Sequence, residues 1–356
     1  MPEIVFPSSL KMIRVGWVGT GPFSFYGDYL SVLNKTKAYN FLNMRVTHIW
    51  GETSYRRNYA GSPEFVDKMV NSWATGRSSP GALAKSANIP NVCKDFHDMV
   101  DEVDAAMIMD FDRSYELSEP FLKRGLPIFL CSPVAVNVPE CEKILDLAQA
   151  NNAAVYSGSF TAGEPDAEGA YSRTRSNLNT IATFYGRTGL GYYTSYANDG
   201  LEPIHWLIGP GVKRVALQGG WNGSKGYDPS GGIPPSHIHL EYESRDSNPP
   251  IQGSLTLGGS RGGWKYKVYF RNNTKLEVFG YGGGADYNFG NFLKNIQQVF
   301  VTNKSLETRE DILEKLRVVI GAYKSANEGG RPVLLSEVGN YRMPTVRIER
   351  WDAYPN

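Results

Sequence analysis

A glycine-rich turn near the N-terminus has residues suited to binding a phosphate-containing ligand. The apolar run Ile13 to Val18 predicts a strand, and the pattern G-x-G-x-x-S follows it from Gly19 to Ser24. Gly19 allows a tight turn, Gly21 lets a pyrophosphate approach the backbone, and free N–H groups at a helix start favour negative charge. The segment therefore predicts a dinucleotide site with NAD or NADP as the cofactor. The residues expected to contact the cofactor here are Gly19, Gly21, Pro22, Phe23 and Ser24.

Glu202 and His205 are candidates for acid–base chemistry. They stand three positions apart in a segment predicted to be helical, so both side chains lie on the same helix face. A carboxylate beside an imidazole favours the charged imidazole and fixes its tautomer, which makes a competent general acid–base pair. An ordinary hydrogen bond within a helix is the alternative, and the spacing leaves both open.

Two histidines and a glutamate alternate along a predicted strand, at His237, His239 and Glu241. A period of two places them on one face, and such a set could bind zinc or iron. The neighbouring strand also alternates polar and apolar residues, with Lys265 and Lys267 on its polar face. That pattern favours a polar sheet face in a subunit interface or in solvent, so we expect no metal there.

Aromatic and glycine residues cluster in the second half of the chain and suit a sugar-like ligand. Aromatic rings stack on the apolar faces of sugars, and glycine-rich loops can close over a ligand. Ordinary turns and core aromatics are the alternative. Three of these aromatics, Tyr192, Tyr193 and Tyr196, are expected to precede the helix that carries Glu202. The others are Trp221, Tyr227 and Trp264.

The composition of the 356-residue chain argues against several classes of protein. A formal net charge of +1 gives no basic surface for nucleic acid. No stretch approaches the roughly 20 apolar residues of a membrane span, and the first residues lack the features of a signal peptide. The cysteines Cys93, Cys131 and Cys141 show no C-x-x-C spacing, which favours a reducing compartment. We expect a cytoplasmic protein that binds neither nucleic acid nor membrane.

The elements that must position these residues fall into two groups. Strands and helices alternate up to Tyr156, which predicts a parallel sheet, whereas strands with period-two alternation prevail from about Thr183. The fold class is therefore α/β plus α+β, with a Rossmann domain followed by an open, mostly antiparallel sheet that has helices on one face. We assign residues 1–134 to the dinucleotide-binding domain and residues 135–356 to a substrate and oligomerisation domain.

The individual elements follow from periodicity, turn residues and helix-stop signals. The predicted strands are Ile13–Val18, Met44–Trp50, Asp104–Met109, Pro127–Leu130, Ala153–Tyr156, Ser236–Glu243, Gln252–Leu257, Lys265–Arg271 and Lys275–Phe279. The predicted helices are Phe23–Leu33, Glu64–Trp73, Ala82–Ala87, Phe96–Val100, Tyr115–Arg124, Pro139–Asn151, Ala167–Leu178, Tyr287–Val301 and Arg309–Ala326.

Three further segments follow the glycine turn in a fixed order. They run from Val103 through a helix to Pro133, from Asp199 to Gly209, and from Ile312 to Pro332. Together with the turn they resemble the glucose–fructose oxidoreductase/inositol dehydrogenase (Gfo/Idh/MocA) family over roughly residues 12 to 337. The resemblance implies hydride exchange between a carbinol carbon of a sugar or cyclitol and a nicotinamide. It also implies a homodimer or homotetramer that assembles through the antiparallel sheet.

The chain departs from this family's pattern at its catalytic lysine. Cys131-Ser132-Pro133 stands where the family has Glu-Lys-Pro, and a serine has no positive charge to lower the pKa of an alcohol. Glu202 takes the place of an aspartate, which implies an acid–base role with His205, and Tyr115 stands at a histidine position as a substitute proton donor. The resemblance further implies cofactor contacts from Asp110, Asp112, Ser132 and Pro133, and substrate contacts from Tyr196, Asp199 and Trp264.

The ribose end of the cofactor site is ambiguous. The family places an acidic residue after the second strand, and Glu52 at this position argues for NAD. Gly51 with Arg56 and Arg57 is how a 2′-phosphate is accommodated, which argues for NADP.

The reaction is equally open. Net oxidation is one reading, and transient use of the nicotinamide for elimination, epimerisation or glycoside cleavage is another. A non-catalytic nucleotide- or sugar-binding regulatory protein that lost the lysine is the main alternative. Metal-dependent chemistry at His237 and His239 is a third hypothesis.

Overall fold

The computed structural model describes residues 11–19, 34, 42–51, 55–57, 80–110, 113–131, 133–158, 174, 177–188, 193–219, 236–245, 248–257, 265–279, 285–343 and 348–350. Within them the strands are β1 (Ile13–Val18), β2 (Met44–Trp50), β3 (Tyr55–Arg57), β4 (Asn91–Val92), β5 (Ala105–Ile108), β6 (Ile128–Leu130), β7 (Val155–Tyr156), β8 (Ile181–Thr188), β9 (Val212–Gly219), β10 (Ser236–Tyr242), β11 (Gln252–Leu257), β12 (Lys265–Phe270), β13 (Lys275–Phe279), β14 (Val333–Leu334) and β15 (Ile348–Arg350). The α-helices are α1 (Pro80–Ala87), α2 (Ser114–Lys123), α3 (Val138–Ala150), α4 (Tyr193–Ile208), α5 (Ala285–Thr302) and α6 (Arg309–Asn327). Short 3-10 helices cover Phe96–Met99, Leu178–Thr180 and Leu335–Glu337.

The first sheet has six strands in the order β4-β2-β1-β5-β6-β7, and all its pairs are parallel. Its central strands are short apolar runs that are almost entirely buried, as is typical of parallel sheets. β1 and β2 have the predicted bounds and pair along their length. The sheet continues past the predicted domain boundary at residue 134, because α3 leads into β7, which pairs with β6.

Helix caps hold the connections at both ends of β6. Asn137 caps α3, since its side chain accepts a hydrogen bond of 2.8 Å from the backbone N–H of Glu140. Gly125 follows α2 with a φ of +73°, in line with its predicted role as the helix stop. These caps fix the connections that enter and leave β6, including the loop that contains Pro133.

The second sheet has seven strands in the order β13-β12-β8-β11-β10-β9-β14. It is mostly antiparallel, as predicted, but β11 pairs in parallel with β8, so the sheet is mixed. Side chains alternate along β10, with Ile238 and Leu240 buried and His239 exposed. The buried face packs against α4 and α6, which places helices on one side of the sheet.

α6 joins the two halves of the molecule, because it packs on β9 of the second sheet, on α4 and on α3. A capping box fixes its start: the hydroxyl of Thr308 accepts a hydrogen bond of 3.1 Å from the backbone N–H of Asp311, and the Asp311 carboxylate accepts one of 3.2 Å in return. Its buried stripe includes Ile312, Leu316 and Val319. One hydrophobic cluster runs from the parallel sheet through α6 to the second sheet.

Some element predictions need correction. α4 begins at Tyr193, so Tyr193 and Tyr196 lie within the helix that carries Glu202 and do not precede it. Periodicity missed this because the segment is aromatic and contains Gly200 and an internal proline, Pro203, both poor helix formers. The predicted helices Phe23–Leu33, Glu64–Trp73 and Ala167–Leu178 lie largely outside the described residues.

Among the described residues, no helix is both long enough and apolar enough to span a membrane.

Candidate functional site

Gly19, the first glycine of the pattern, has a backbone conformation that suits a tight turn after β1. Gly19 has a φ of +106°, which side-chain-bearing residues rarely adopt. Its N–H donates to the carbonyl of Trp50 at 2.8 Å, and its carbonyl accepts from Nε1 of Trp17 at 2.9 Å. A Cβ at this position would lie 3.3 Å from the Cβ of Asp110, so the backbone passes close to the end of β5.

Several predicted site residues lie outside the described part of the chain. They are Gly21, Pro22, Phe23, Ser24, Glu52, Asp112, Ser132 and Trp264. For Arg56 in β3, and for Tyr196 and Asp199 in α4, the structure describes the backbone position alone.

Four described residues mark the carboxyl edge of the parallel sheet. Gly19 follows β1, Asp110 follows β5, Pro133 follows β6 and Ser157 follows β7. The carboxyl ends of neighbouring parallel strands meet at one edge, and ligands of open α/β sheets bind in the crevice outside it. The predicted cofactor residues Gly19, Asp110 and Pro133 therefore share this edge.

A small cavity lies at this edge, where the parallel sheet meets α4 and α6. Pro133 and Ser157 come from the sheet side, Glu202 from α4, and Lys315 from α6. The remaining lining residues are Val134, Ile312 and Leu316. The lining of this cavity thus combines apolar side chains with a carboxylate and an ammonium.

Lys315 is the most heavily bonded side chain at the cavity. Its Nζ lies 3.0 Å from both carboxylate oxygens of Glu202 and 2.8 Å from Oε2 of Glu307, and it donates to the carbonyl of Ser157 at 3.1 Å. The side chains of Lys315, Glu202 and Glu307 are 10%, 0% and 5% exposed. The three charges therefore interact in a medium that screens them far less than water does.

The surroundings of this cluster change how its groups titrate. Burial by itself lowers the pKa of Lys315, but Glu202 and Glu307 outweigh it and raise that pKa to about 12. Burial, together with the charges of Glu202 and Asp311, raises the pKa of Glu307 to about 7, against the opposing effect of Lys315. Lys315 is thus an ammonium in the resting protein near neutral pH, while Glu307 can exchange a proton there.

Glu202 and His205 have different partners in the structure. Besides Lys315, Glu202 accepts a hydrogen bond of 3.2 Å from Nε1 of Trp206. His205 lies with Nε2 at 3.6 Å from Oδ1 of Asp311, at the first turn of α6. Both residues are on α4 beside α6, but their direct pairing stays a prediction.

Tyr115 lies on the first turn of α2, near the same sheet edge. Its hydroxyl donates to Oε1 of Glu119 at 3.2 Å, and its backbone N–H donates to Oε1 of Glu140 at 3.3 Å. Burial and the charge of Glu119 raise the pKa of Tyr115. The phenol is therefore protonated near neutral pH, with its proton donated to Glu119 in this structure.

The face of β10 that carries His237, His239 and Glu241 makes contacts within the sheet. Nδ1 of His237 lies 3.1 Å from the hydroxyl of Thr256, and Glu241 binds Arg214 at 2.7 Å. Burial and the neighbouring His237 lower the pKa of His239. Across the described residues, no group of three histidine, cysteine or acidic side chains is arranged to hold a metal.

Sequence reasoning missed Lys315 and Glu307. Lys315 is 113 residues from Glu202, so no local pattern connects them. One signal was present: Lys315 stands three positions after Ile312 and four before Val319, which puts a charge on the apolar face of α6. Such a lysine needs a buried partner, although the sequence does not say which.

No protein-family model matches this chain, and no curated protein matches it. Solved structures do match it, at low sequence identity. The scyllo-inositol dehydrogenase from Lactobacillus casei, with bound cofactor NAD(H) and scyllo-inositol, has a TM-score of 0.65 at 14% identity over 92% of this chain and 100% of that one. GenD2 from gentamicin A biosynthesis, in complex with NAD, has a TM-score of 0.67 at 13% identity over 93% and 99%. An oxidoreductase from Thermotoga maritima has a TM-score of 0.64 at 15% identity over 92% and 100%.

These similarities extend over both halves of the molecule. A parallel Rossmann-like sheet followed by a mixed sheet with helices on one face is the two-domain architecture of Gfo/Idh/MocA oxidoreductases. The chain has this fold, and the predicted fold class is confirmed.

Proposed function

We propose that this protein is an NAD- or NADP-dependent oxidoreductase that acts on a carbohydrate or cyclitol. The observation that carries the proposal is the cavity at the carboxyl edge of the parallel sheet, where Glu202 and Lys315 face the loops after β6 and β7. This is the edge at which a dinucleotide bound by the Gly19 turn would present its reactive end. Solved structures of the same fold carry NAD(H) with inositol or NAD alone.

The described residues fit a dinucleotide at this edge. The φ of Gly19 and its close approach to Asp110 leave no room for a side chain, as expected where a pyrophosphate meets the backbone. Gly19, Asp110 and Pro133 would hold the cofactor together with the rest of the predicted set. When bound, the nicotinamide would accept a hydride from a carbinol carbon or return one to a carbonyl.

The chain's own part in the reaction is to orient the substrate and move a proton. We assign to Glu202 the role of taking the proton of a substrate hydroxyl, and its position at the cavity and its hydrogen bonds with Lys315 and Trp206 support this role. His205 and Tyr115 are the supporting acid–base groups. A substrate that returns to its original oxidation level, as in epimerisation or elimination, would use the same proton acceptor.

We further propose a homodimer or homotetramer that assembles through the uncovered face of the second sheet. Cys93, Cys131 and Cys141, all in the described part of the chain, form no disulfide, which suits a cytoplasmic location.

Nucleotide binding and turnover test the function together. Nucleotide released by acid from the purified protein is identified by mass spectrometry, and sugars and cyclitols are then screened for a change in nicotinamide absorbance. The proposal expects NAD(H) or NADP(H) in the acid extract and turnover of at least one polyhydroxylated compound. Bound nucleotide without turnover of any compound would overturn the proposal in favour of the regulatory alternative, and binding of neither nucleotide would also overturn it.

A further inference from the structure

Glu202, Lys315 and Glu307 form a buried cluster with unbalanced charge. Two carboxylates share one ammonium, so the fully ionised cluster carries one net negative charge. None of the three side chains is more than 10% exposed. An uncompensated charge in a poorly solvated site is costly, so the cluster gains stability when it takes up one proton.

Glu307 is the member best placed to hold that proton. Burial, the charge of Glu202 and the charge of Asp311 all raise the pKa of Glu307, and Lys315 opposes them, with a result of about 7. His205 faces the same Asp311 from α4, with Nε2 at 3.6 Å. Glu202, by contrast, lines the cavity where a substrate hydroxyl would lie.

The ammonium of Lys315 connects the two carboxylates. Its Nζ lies 3.0 Å from Oε2 of Glu202 and 2.8 Å from Oε2 of Glu307. The carbonyl of Ser157 accepts a further hydrogen bond at 3.1 Å. These partners account for the three N–H bonds of the ammonium, so Lys315 links the carboxylates and does not reach out to a substrate.

We propose that Glu307 is the proton store of this site and that it is reached from Glu202 through Lys315. The inference rests on the proposed function, in which loss of a hydride from a carbinol also releases one proton to Glu202. Nζ of Lys315 first gives a proton to Glu307, and the neutral amine that results then takes the proton from Glu202. The outcome is an ionised Glu202, an unchanged ammonium and a neutral Glu307, and reduction of a carbonyl runs the transfer backwards. Lys315 and Glu307 are thus positioning and relay residues for Glu202.

The shared proton can be tested without a substrate. Protein labelled with ¹³C at the glutamate carboxyl carbon is titrated by NMR, and Glu307→Gln identifies the signal of Glu307. We expect that signal to titrate through the neutral range. In Glu202→Gln it should move to lower pH, because the repelling charge of Glu202 is gone. Glu310→Gln, the same change at an exposed position of α6, should leave the signal in place. The relay would be overturned if the Glu307 carboxyl stayed ionised throughout the neutral range. It would also be overturned if the titration midpoint of the Glu307 signal were the same in Glu202→Gln and in the wild type.

The role in turnover is tested on whichever sugar or cyclitol the absorbance screen finds. Glu307→Gln keeps the Glu202–Lys315 pair but cannot store the proton, so we expect kcat to fall by roughly 10- to 100-fold with a larger solvent deuterium isotope effect. Nucleotide affinity should not change, and Glu310→Gln should match the wild type. A Glu307→Gln enzyme with normal kcat and isotope effect would overturn the relay while leaving the proposed function intact. Failure of every compound to turn over would instead overturn the proposed function, and the relay with it, even if the NMR signal behaves as expected.

Discussion

Lys315 brings a positive charge to the candidate site from the last α-helix of the described chain. The loop after β6 contains Ser132, where the resembling family has a lysine. Lys315 does not simply replace that lysine, because its N–H bonds are used by Glu202, Glu307 and Ser157. Its effect on chemistry is therefore exerted through Glu202, whose carboxylate it fixes at the cavity.

At the residue scale, Gly19 gives a direct test of the nucleotide turn. Gly19→Ala places a Cβ on a backbone with φ of +106° and against Asp110, so we expect a loss of about 1–3 kcal/mol in unfolding free energy and weaker nucleotide binding. Denaturant unfolding and calorimetry with NADH and NADPH measure the two effects. Gly81→Ala in α1 is the matched control, because a Cβ there meets nothing within 4 Å. Equal nucleotide affinity in Gly19→Ala and the wild type would show that the turn at Gly19 does not bind the nucleotide.

The acid–base assignment makes a second prediction at this scale. Glu202→Gln keeps the hydrogen-bonding shape but removes the base, so turnover should fall by about 10²–10⁴-fold with nucleotide binding unchanged. His205→Asn should also lower turnover. Steady-state kinetics with the substrate from the screen measures both variants. If both retain wild-type turnover, the proton acceptor lies elsewhere, and Asp112 and Tyr115 are the next candidates.

At the scale of elements, α6 determines whether the site exists. Its capping box fixes the helix start, its apolar stripe anchors it to β9, and Lys315 projects from it toward Glu202 on α4. The loop before α6 supplies Glu307. The site is therefore built at the junction of α6 with α4 and the end of β7, so displacement of this helix would separate Glu202 from Lys315 and Glu307.

The charge cluster also predicts how stability depends on pH. The pKa of Glu307 is about 7 in the folded protein and close to the ordinary 4.5 when the chain unfolds. Between these values the folded state binds a proton that the unfolded state has lost, so stability due to this group falls as pH rises through that window. Urea unfolding of Glu307→Gln should lack this decline, whereas Glu310→Gln should show it. If the unfolding free energy of Glu307→Gln changed with pH as it does in the wild type, the raised pKa would not belong to Glu307.

Elements with a strong local pattern were predictable from the sequence. β1 and β2 are apolar runs next to turn residues, and their bounds agree with the prediction. The start of α4 was not predictable, because aromatic residues with Gly200 and Pro203 give a weak helical signal. The charged neighbours of Glu202 could not be predicted from a local pattern, since Lys315 and Glu307 come close to it only when α6 packs against α4.

At the scale of the whole molecule, none of the helices in the described part of the chain packs on the face of the second sheet opposite α4 and α6. Tyr185 on β8 and Tyr269 on β12 are 38% and 37% exposed there. Tyr185 pairs across the strands with Lys267, which in turn pairs with Glu277. A broad face with exposed aromatics and paired charges suits a symmetric contact with a second copy.

We expect light scattering to report a dimer or tetramer for the wild type at micromolar concentration. Tyr185→Glu should shift it to the monomer, because it places a charge in the centre of the contact. Val92→Glu introduces the same charge on an exposed residue of the first sheet and should leave the assembly unchanged. A monomeric wild type would refute assembly through this sheet.

Transfer of deuterium from substrate to nucleotide tests the central claim most directly. The protein is incubated with NAD or NADP and a panel of carbon-deuterated sugars and cyclitols, and the nucleotide is released with alkali, in which reduced nicotinamide survives, and analysed by mass spectrometry. This readout detects hydride transfer whether the overall reaction is an oxidation or leaves the substrate at its original oxidation level. The account predicts deuterium in the reduced nicotinamide with the wild type and far less with Glu202→Gln. Tightly bound nucleotide that gains no deuterium from any compound, or gains it equally with Glu202→Gln, would contradict the account.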